Sequence, residues 1–222
     1  MILEMHDICK DYVLGKNVTS VLKNVNLQVE QGDYLAIMGP SGSGKTTLMN
    51  LIGCLDTPTS GTYQFAGRGI TKCSQKELSD IRNKKIGFVF QSFNLLAKMS
   101  ALDNVALPLL YGGVHKKERR ERAYEALRTV GLEERVDHRP DQLSGGQCQR
   151  VAIARAMISN PDILLADEPT GDLDDETTAM VLRLMRDHAD KGGSVLIVTH
   201  EKEAAVFADD IFRMETGRLI KY

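Results

Sequence analysis

The sequence contains no tryptophan, and aromatic residues make up only 5% of its 222 residues. Proteins that bind single-stranded nucleic acid stack successive bases on aromatic side chains, so this composition offers little material for such a surface. The net charge of −2 also provides no bulk positive field that would attract nucleic acid. We therefore expect no nucleic-acid partner.

The four cysteines are scattered, and they form neither a C-x-x-C pair nor a cysteine–histidine spacing typical of zinc sites. This pattern suits reduced thiols in the cytosol better than a disulfide framework. The first residues lack the layout of a signal peptide, and no apolar run approaches the roughly 18–20 residues that span a bilayer. If the protein works at a membrane, we expect another chain to supply the spanning part.

Short apolar segments alternate with helical patterns along most of the chain, which predicts an α/β fold. The runs at 162–167 and 194–199 are apolar on both faces, as buried parallel strands are. The first 30 residues alternate instead and predict an antiparallel β patch. Strand signals vanish from 92 to 160, so we predict one domain, 1–222, in which an α-helical subdomain (92–160) is inserted into an α/β core (1–91 and 161–222).

The segment Gly39-Pro-Ser-Gly-Ser-Gly-Lys45-Thr46 follows an apolar strand and opens a helix, which is the context of a P-loop. Glycines let the backbone N–H groups wrap closely around phosphate, and the helix N-terminus adds partial positive charge. We expect Lys45 to reach the β- and γ-phosphates of ATP and the Thr46 hydroxyl to bind Mg²⁺. The predicted phosphate-binding residues are Gly39, Ser41, Gly42, Ser43, Gly44, Lys45, Thr46 and Thr47. The fold class is thus a P-loop NTPase core, RecA-like, with a mostly parallel sheet.

Two adjacent carboxylates, Asp167 and Glu168, end a later apolar strand. Beside a P-loop they can divide two roles, with Asp167 binding Mg²⁺ and Glu168 polarising the attacking water. The alternative is a surface Asp-Glu pair that merely opens a loop. The P-loop in the same chain favours the catalytic interpretation.

A second glycine-rich helix start, Leu143-Ser-Gly-Gly-Gln147, lies upstream of the carboxylate strand. One γ-phosphate cannot easily use two such anion-binding helix starts from one subunit. This segment resembles the signature of ABC ATPases, which dimerise head to tail so that each signature caps the nucleotide held by the partner's P-loop. The resemblance assigns Ser144, Gly145, Gly146 and Gln147 to the partner's ATP. A plain helix cap is the alternative.

The resemblance to ABC ATPases extends over essentially the whole chain. It implies that Gln91 contacts Mg²⁺ and water, that His200 holds the γ-phosphate and that Asp174 lies at the dimer seam. It also implies that Tyr12 stacks on adenine. The alternatives are a helix-start charge for Asp172 and Asp174, a structural histidine and a tyrosine that packs in the core.

The signature is followed by Cys148, where relatives commonly carry a polar or charged residue. We put forward the hypothesis that this thiol makes the dimer sensitive to thiol modification.

The motifs at 52–61 and 167–174 resemble ATPases of macrolide- and peptide-exporter and lipoprotein-release systems. The resemblance implies an ATP- and Mg²⁺-dependent homodimer that drives a separate permease from the cytoplasmic face of the inner membrane. It implies that 93–102 lines a groove for that permease, with core packing as the alternative. A cell-division ATPase acting on a related permease, or a soluble non-transport ABC ATPase, stays open as another function. A P-loop kinase or GTPase would not need the signature.

Overall fold

Two β-sheets organise the chain in the computed structural model, which describes residues 1–15, 17–171 and 173–222. The strands within these ranges are β1 Leu3–Leu14, β2 Asn17–Val29, β3 Tyr34–Met38, β4 Ser60–Phe65, β5 Arg68–Gly69, β6 Ile86–Phe90, β7 Ile163–Asp167, β8 Ser194–Val198, β9 Asp210–Glu215 and β10 Arg218–Lys221. The α-helices are α1 Lys45–Ile52, α2 Gln75–Lys85, α3 Ala101–Tyr111, α4 Lys116–Thr129, α5 Gly145–Met157, α6 Asp175–Asp190 and α7 Lys202–Ala205.

The larger sheet has the strand order β10-β9-β3-β8-β7-β6, and all neighbouring strands except β10 and β9 run parallel. Its central strands are buried on both faces. In β3, Leu35 and Ile37 pack in one core with α1, whereas Tyr34 and Ala36 pack in a second core with α5 and α6. The runs that are apolar on both faces are therefore explained by layers on each side of this sheet.

The smaller sheet is antiparallel, with the order β2-β1-β4-β5, and it contains the alternating N-terminal segments. Its inward-facing side chains, such as Met5, Leu22 and Tyr63, pack in one apolar core with α1 and with Leu35 and Ile37 of the large sheet. The predicted antiparallel β patch is observed. At the other end of the chain, β9 and β10 form an antiparallel hairpin around Thr216–Gly217.

Between residues 92 and 160, all of which the structure describes, three α-helices and no strand are present. Helices α3, α4 and α5 share a third apolar core that includes Val105, Leu127 and Val151. Asn104 is fully buried, and its side chain bonds to backbone groups of residues 96, 99 and 100. Because these helices have a separate core, we propose that the helical subdomain is bounded near residues 91 and 161.

Helix ends follow local signals closely. A capping box of Ser74 and Glu77 starts α2, and Gly131 follows α4 with a φ of 68°. Helix α1 ends at Ile52, because Gly53 caps it and Cys54 adopts a φ of 55°.

Candidate functional site

The loop between β3 and α1 depends on glycine at two close contacts. A Cβ atom on Gly39 would lie 2.3 Å from the carbonyl oxygen of Met214, and one on Gly44 would lie 2.9 Å from Cδ2 of Leu22. Gly44 also has a φ of 110°, which L side chains rarely adopt. The loop can therefore lie tightly against β9 and β2 only with these residues.

Helix α1 starts without a side-chain cap, because its N-cap residue is Gly44. The first N–H groups of a helix have no partner within the helix, so such a start is suited to an anion. The hydroxyl of Ser43 is buried in the same loop and has no hydrogen-bond partner. These donors fit phosphate oxygens.

Lys45 begins α1, and its ammonium group folds back onto the loop. Nζ donates hydrogen bonds to the carbonyl oxygens of Gly39, at 2.8 Å, and Pro40, at 2.9 Å. The hydroxyl-bearing Thr46 follows and is exposed. The loop thus presents a positive charge and a hydroxyl side by side.

Asp167 ends β7 and Glu168 follows it, next to the C-terminal end of β8. The Glu168 N–H donates to the carbonyl oxygen of Val198 at 2.8 Å, and Glu168 Oε2 lies 2.8 Å from Nδ1 of His200. Burial raises the pKa of Asp167, and the neighbouring Glu168 charge adds to this, while Lys45 opposes it. A carboxylate beside a histidine can orient the ring and share a proton with it.

These groups converge on one cavity of about 580 Å³. It brings together most of the predicted phosphate, metal and catalytic residues. Its lining residues are Val21, Gly39, Pro40, Ser41, Gly42, Gly44, Lys45, Thr46, Thr47, Asp167, Glu168 and His200. Tyr12, Ser43, Gln91, the signature residues and Asp174 are not among them.

Tyr12 lies on β1 and is 43% exposed, so it is not a core tyrosine. Its hydroxyl donates to Oδ2 of Asp56 at 2.9 Å. Lys10 Nζ lies 4.9 Å from the Tyr12 ring centroid and donates to Oδ1 of the same aspartate at 2.7 Å. Partial burial and the Asp56 carboxylate raise the pKa of Tyr12, while a hydrogen bond with Thr47 lowers it.

Sequence reasoning missed this anchoring of Tyr12. Lys10 precedes the tyrosine by two residues on the same strand, and this spacing could have indicated it. Asp56 lies 44 residues further along the chain. Its part in the anchor could not be read from any local pattern.

Gln91 follows β6 and lies beside the loop after Glu168. A Cβ atom on Gly171 would be 3.4 Å from Gln91 Nε2. The next segment is held from α5, because Arg155 donates hydrogen bonds of 2.7 Å to the carbonyl oxygens of Phe93 and Asn94. Sequence reasoning missed Arg155, whose partners are about 60 residues away and were given by no motif.

The signature residues start α5 with a capping box. Ser144 Oγ accepts from the Gln147 N–H at 3.3 Å, and Gln147 Oε1 accepts from the Ser144 N–H at 3.0 Å. Asp174 similarly caps α6, since its Oδ1 accepts from the Thr177 N–H at 2.9 Å. Within one chain, these residues serve as helix starts. Asp172 lies outside the described residues.

Cys148, the second residue after Gly146, is buried beneath the signature loop, where its Sγ donates to the carbonyl oxygen of Pro140 at 3.5 Å. Burial raises the pKa of this thiol. A buried thiol with a raised pKa reacts slowly. The geometry therefore argues against the hypothesis that this cysteine makes the dimer sensitive to thiol modification.

The sequence profile of the ABC transporter family matches residues 22–171. The chain belongs to this family. An uncharacterized ABC transporter ATP-binding protein of Bacillus subtilis, YvrO, is 51% identical over 98% of this cassette and 95% of its own length. The macrolide export ATP-binding/permease protein MacB of Syntrophobacter fumaroxidans is 51% identical over 97% of the cassette, which spans 31% of that longer protein.

Solved structures agree with the family assignment. The dimeric post-hydrolysis ATP-binding cassette MJ0796, bound to ADP and Pi, matches with a TM-score of 0.91 and 43% identity over 99% of this chain and 98% of that one. The predicted fold class and the resemblance to ABC ATPases are thereby confirmed. The protein is an ATP-binding cassette that hydrolyses ATP.

None of the helices in the described part of the cassette combines the length and the apolar character that a membrane span requires.

Proposed function

We propose that two copies of this cassette bind two MgATP between them and that closure and hydrolysis drive a separate membrane permease. The observation that carries the proposal is the division of the site within one chain. The phosphate loop, Glu168 and His200 line one cavity. The signature residues of the same chain are not part of its lining, so a second copy is needed to complete the site.

The phosphate loop would hold the β- and γ-phosphates of ATP. Lys45 would exchange its two carbonyl partners for phosphate oxygens, which bind an ammonium group more strongly than neutral carbonyls do. The uncapped start of α1 and the unpaired Ser43 hydroxyl supply further donors. The helix start and the Ser43 hydroxyl are in place before ATP arrives, so among these groups only Lys45 has to exchange hydrogen-bond partners.

The oxygen ligands present fit Mg²⁺. The Thr46 hydroxyl and the Asp167 carboxylate line the same cavity, and hard oxygen donors are those that Mg²⁺ prefers, usually together with substrate phosphates and water. We assign Thr46, Asp167 and Gln91 to it. When bound, Mg²⁺ neutralises charge on the phosphates.

Glu168 and His200 would perform the hydrolytic step. Glu168 would accept a hydrogen bond from the attacking water and orient it toward the γ-phosphate. His200, whose side chain is 65% exposed in the single chain, would donate to the γ-phosphate while Nδ1 stays paired with Glu168. The 2.8 Å contact between them holds both groups at the same end of the cavity.

The signature of the second copy would close over the γ-phosphate. The start of α5 directs helical N–H groups outward, and the Ser144 hydroxyl accepts a hydrogen bond while keeping its own proton to donate. The dimeric state of the 43%-identical solved cassette supports this assembly. Asp174 would lie at the seam, and Tyr12 would stack on adenine.

A groove of about 620 Å³ offers a docking surface for the permease. Its apolar lining includes Leu55, Phe88, Phe90, Leu107 and Tyr111. Leu55 is 50% exposed and Tyr111 is 77% exposed, so two large apolar side chains of this lining are open to solvent. The groove adjoins the segment after Gln91. A permease bound in the groove would therefore shift this segment relative to the cavity that binds the nucleotide. The permease would place the cassette at the cytoplasmic face of the inner membrane.

The subgroup is macrolide or peptide export, or lipoprotein release, as the motifs at 52–61 and 167–174 and the similarity to MacB support. A cell-division cassette and a soluble non-transport ATPase are the rival outcomes of the experiment below.

The first experiment uses Glu168→Gln, which removes the water-activating charge and keeps the side-chain size. We expect an ATP-dependent dimer on size-exclusion chromatography and ATP hydrolysis reduced by at least about 100-fold. Glu121→Gln, on the exposed face of α4, makes the same chemical change away from the cavity and should behave as wild type. A Glu168→Gln protein that stays monomeric with ATP and hydrolyses normally would contradict the mechanism.

The same variant identifies the partner. We would solubilise membranes of the native cell with ATP present and identify proteins that copurify with tagged Glu168→Gln. Recovery of a permease with a large extracytoplasmic domain supports the transporter subunit. Repeated recovery of soluble partners alone would support the non-transport ATPase instead.

A further inference from the structure

The loop that follows Glu168 is held by a side chain from the signature helix. Gln149, on α5, is fully buried, and its Nε2 donates to the carbonyl oxygen of Pro169 at 2.6 Å. Its Oε1 is also buried and has no hydrogen-bond partner. An apolar side chain would avoid the cost of that unpaired oxygen. The hydrogen bond to Pro169, the residue next to Glu168, therefore explains why an amide side chain stands at position 149.

The same loop is held from a second side. Thr170 is 2% exposed, and its hydroxyl donates to the Glu201 carboxylate at 2.5 Å. The Glu201 N–H in turn donates to the Thr199 hydroxyl at 3.0 Å, just after β8. Since Glu201 follows His200 directly, the Thr170–Glu201 contact joins the loop after Glu168 to the loop that carries the histidine.

The Glu168–His200 pair needs such support. Glu168 has a φ of 46°, a left-handed conformation that a non-glycine residue holds only when its surroundings fix it. The His200 side chain is 65% exposed and so has little packing of its own. The position of the pair must therefore come from the two loops.

We propose that Gln149, Thr170 and Glu201 are positioning residues for the Glu168–His200 pair, and that Gln149 makes this pair depend on the signature helix of its own chain. The inference rests on the proposed hydrolytic roles of Glu168 and His200. Gln149 lies about one helical turn after Gly145. A shift of the α5 start, when it meets the partner's nucleotide, is passed to Pro169 through the 2.6 Å hydrogen bond.

Thr170→Val tests the contact between Thr170 and Glu201, because it keeps the shape of the side chain and removes the hydroxyl. We expect kcat for ATP hydrolysis to fall about tenfold while KM changes less than twofold. Thr170→Ser keeps the hydroxyl and is expected to recover most of kcat. Thr129→Val removes a hydroxyl that bonds a carbonyl on the surface of α4. It is the matched control and should leave kcat unchanged.

Gln149→Met tests the hydrogen bond between Gln149 and Pro169, because methionine fills similar space and has no N–H group to donate. We expect a similar fall in kcat and little change in melting temperature, since the lost amide had one unpaired oxygen. In the Glu168→Gln background, neither Gln149→Met nor Thr170→Val should weaken the ATP-dependent dimer. Parallel losses of kcat, ATP affinity and thermal stability would indicate a merely structural role and overturn the inference.

The outcomes separate this inference from the proposed function. If wild type hydrolyses ATP and both variants keep its kcat, the positioning role is wrong while the ATPase mechanism stands. If wild type neither hydrolyses ATP nor forms an ATP-dependent dimer, the proposed function fails first.

Discussion

Helices α1 and α5 both begin at glycine-rich loops, yet their first turns are completed differently. Helix α1 starts at Gly44 without any side-chain cap, whereas α5 starts with a reciprocal capping box between Ser144 and Gln147. The α1 start lines a cavity with Lys45, Asp167 and Glu168. The α5 start is not part of that lining.

The difference indicates that the two helix starts act at different stages. The uncapped α1 start has unpaired donors within its own chain, so it is ready to bind phosphate before any partner arrives. The capping box of α5 pairs the N–H groups of Ser144 and Gln147, so this start can remain in water until a second cassette presents its nucleotide to the remaining donors of the first turn. Variants that affect only one of the two starts should therefore separate ATP binding from ATP-driven closure.

The largest effect is expected at the α1 start. Lys45→Ala removes the only ammonium group among the described residues that line the cavity, and we expect ATP hydrolysis to fall by at least about 100-fold. ATP affinity, measured with a fluorescent analogue, should fall as well. Lys117→Ala, on exposed α4, is the control. Full activity of Lys45→Ala would contradict the phosphate-loop assignment.

A smaller and more selective effect is expected at the α5 start. Ser144→Ala should reduce ATP hydrolysis about tenfold and leave ATP binding by the monomer unchanged. It should also lower stability by about 1 kcal/mol, the usual cost of a lost N-cap.

The chain offers a matched control for this variant in the capping box of Ser74 and Glu77 on α2. Ser74→Ala should lose similar stability, measured as the melting temperature, but no activity. If Ser74→Ala and Ser144→Ala lose the same fraction of activity, the role of Ser144 is that of a cap only.

A variant of Tyr12 tests the binding of the adenine base of ATP, whereas the two helix starts concern its phosphates. Tyr12→Ala should weaken ATP binding by about two- to tenfold, because aromatic pairs contribute about 0.5–1.5 kcal/mol. Tyr12→Phe keeps the ring and loses only the hydrogen bond to Asp56, so its effect should be smaller. Neither variant should change the affinity for inorganic tripolyphosphate, which has no base. An equal loss for tripolyphosphate would place Tyr12 in the structural support of the phosphate loop.

The features that the sequence predicted are local ones. Glycine spacing gave the phosphate loop, the end of an apolar strand gave Asp167 and Glu168, and a glycine-rich helix start gave Ser144. The contacts that support the site were missed because tertiary packing sets them. Lys10 and Asp56 are 46 residues apart, and Arg155 is 62 residues from Phe93. The chemical roles of the site residues, those of Gln91, His200 and Asp174 included, stay predictions.

The smallest effect is expected at a third helix start, where Asp174 caps α6. Hydrogen bonds from Thr177 lower the pKa of Asp174. A carboxyl whose pKa is lower in the folded state stabilises the fold above its ordinary pKa of about 3.9, and the stabilisation is lost as pH falls through the folded value. Asp174→Ala should therefore lower the melting temperature by a few degrees at pH 7, with the difference shrinking below about pH 4.

Asp174→Asn separates the cap from the charge, because asparagine is also a good N-cap. We expect it to keep most of the melting temperature and to lose this part of the pH dependence. ATPase activity then decides between the two interpretations of Asp174. If both variants hydrolyse ATP at the wild-type rate, the residue acts only as a helix cap. If both lose activity although Asp174→Asn is stable, the carboxylate acts at the dimer seam, and α6 resembles α5 in having a cap that also serves the second copy.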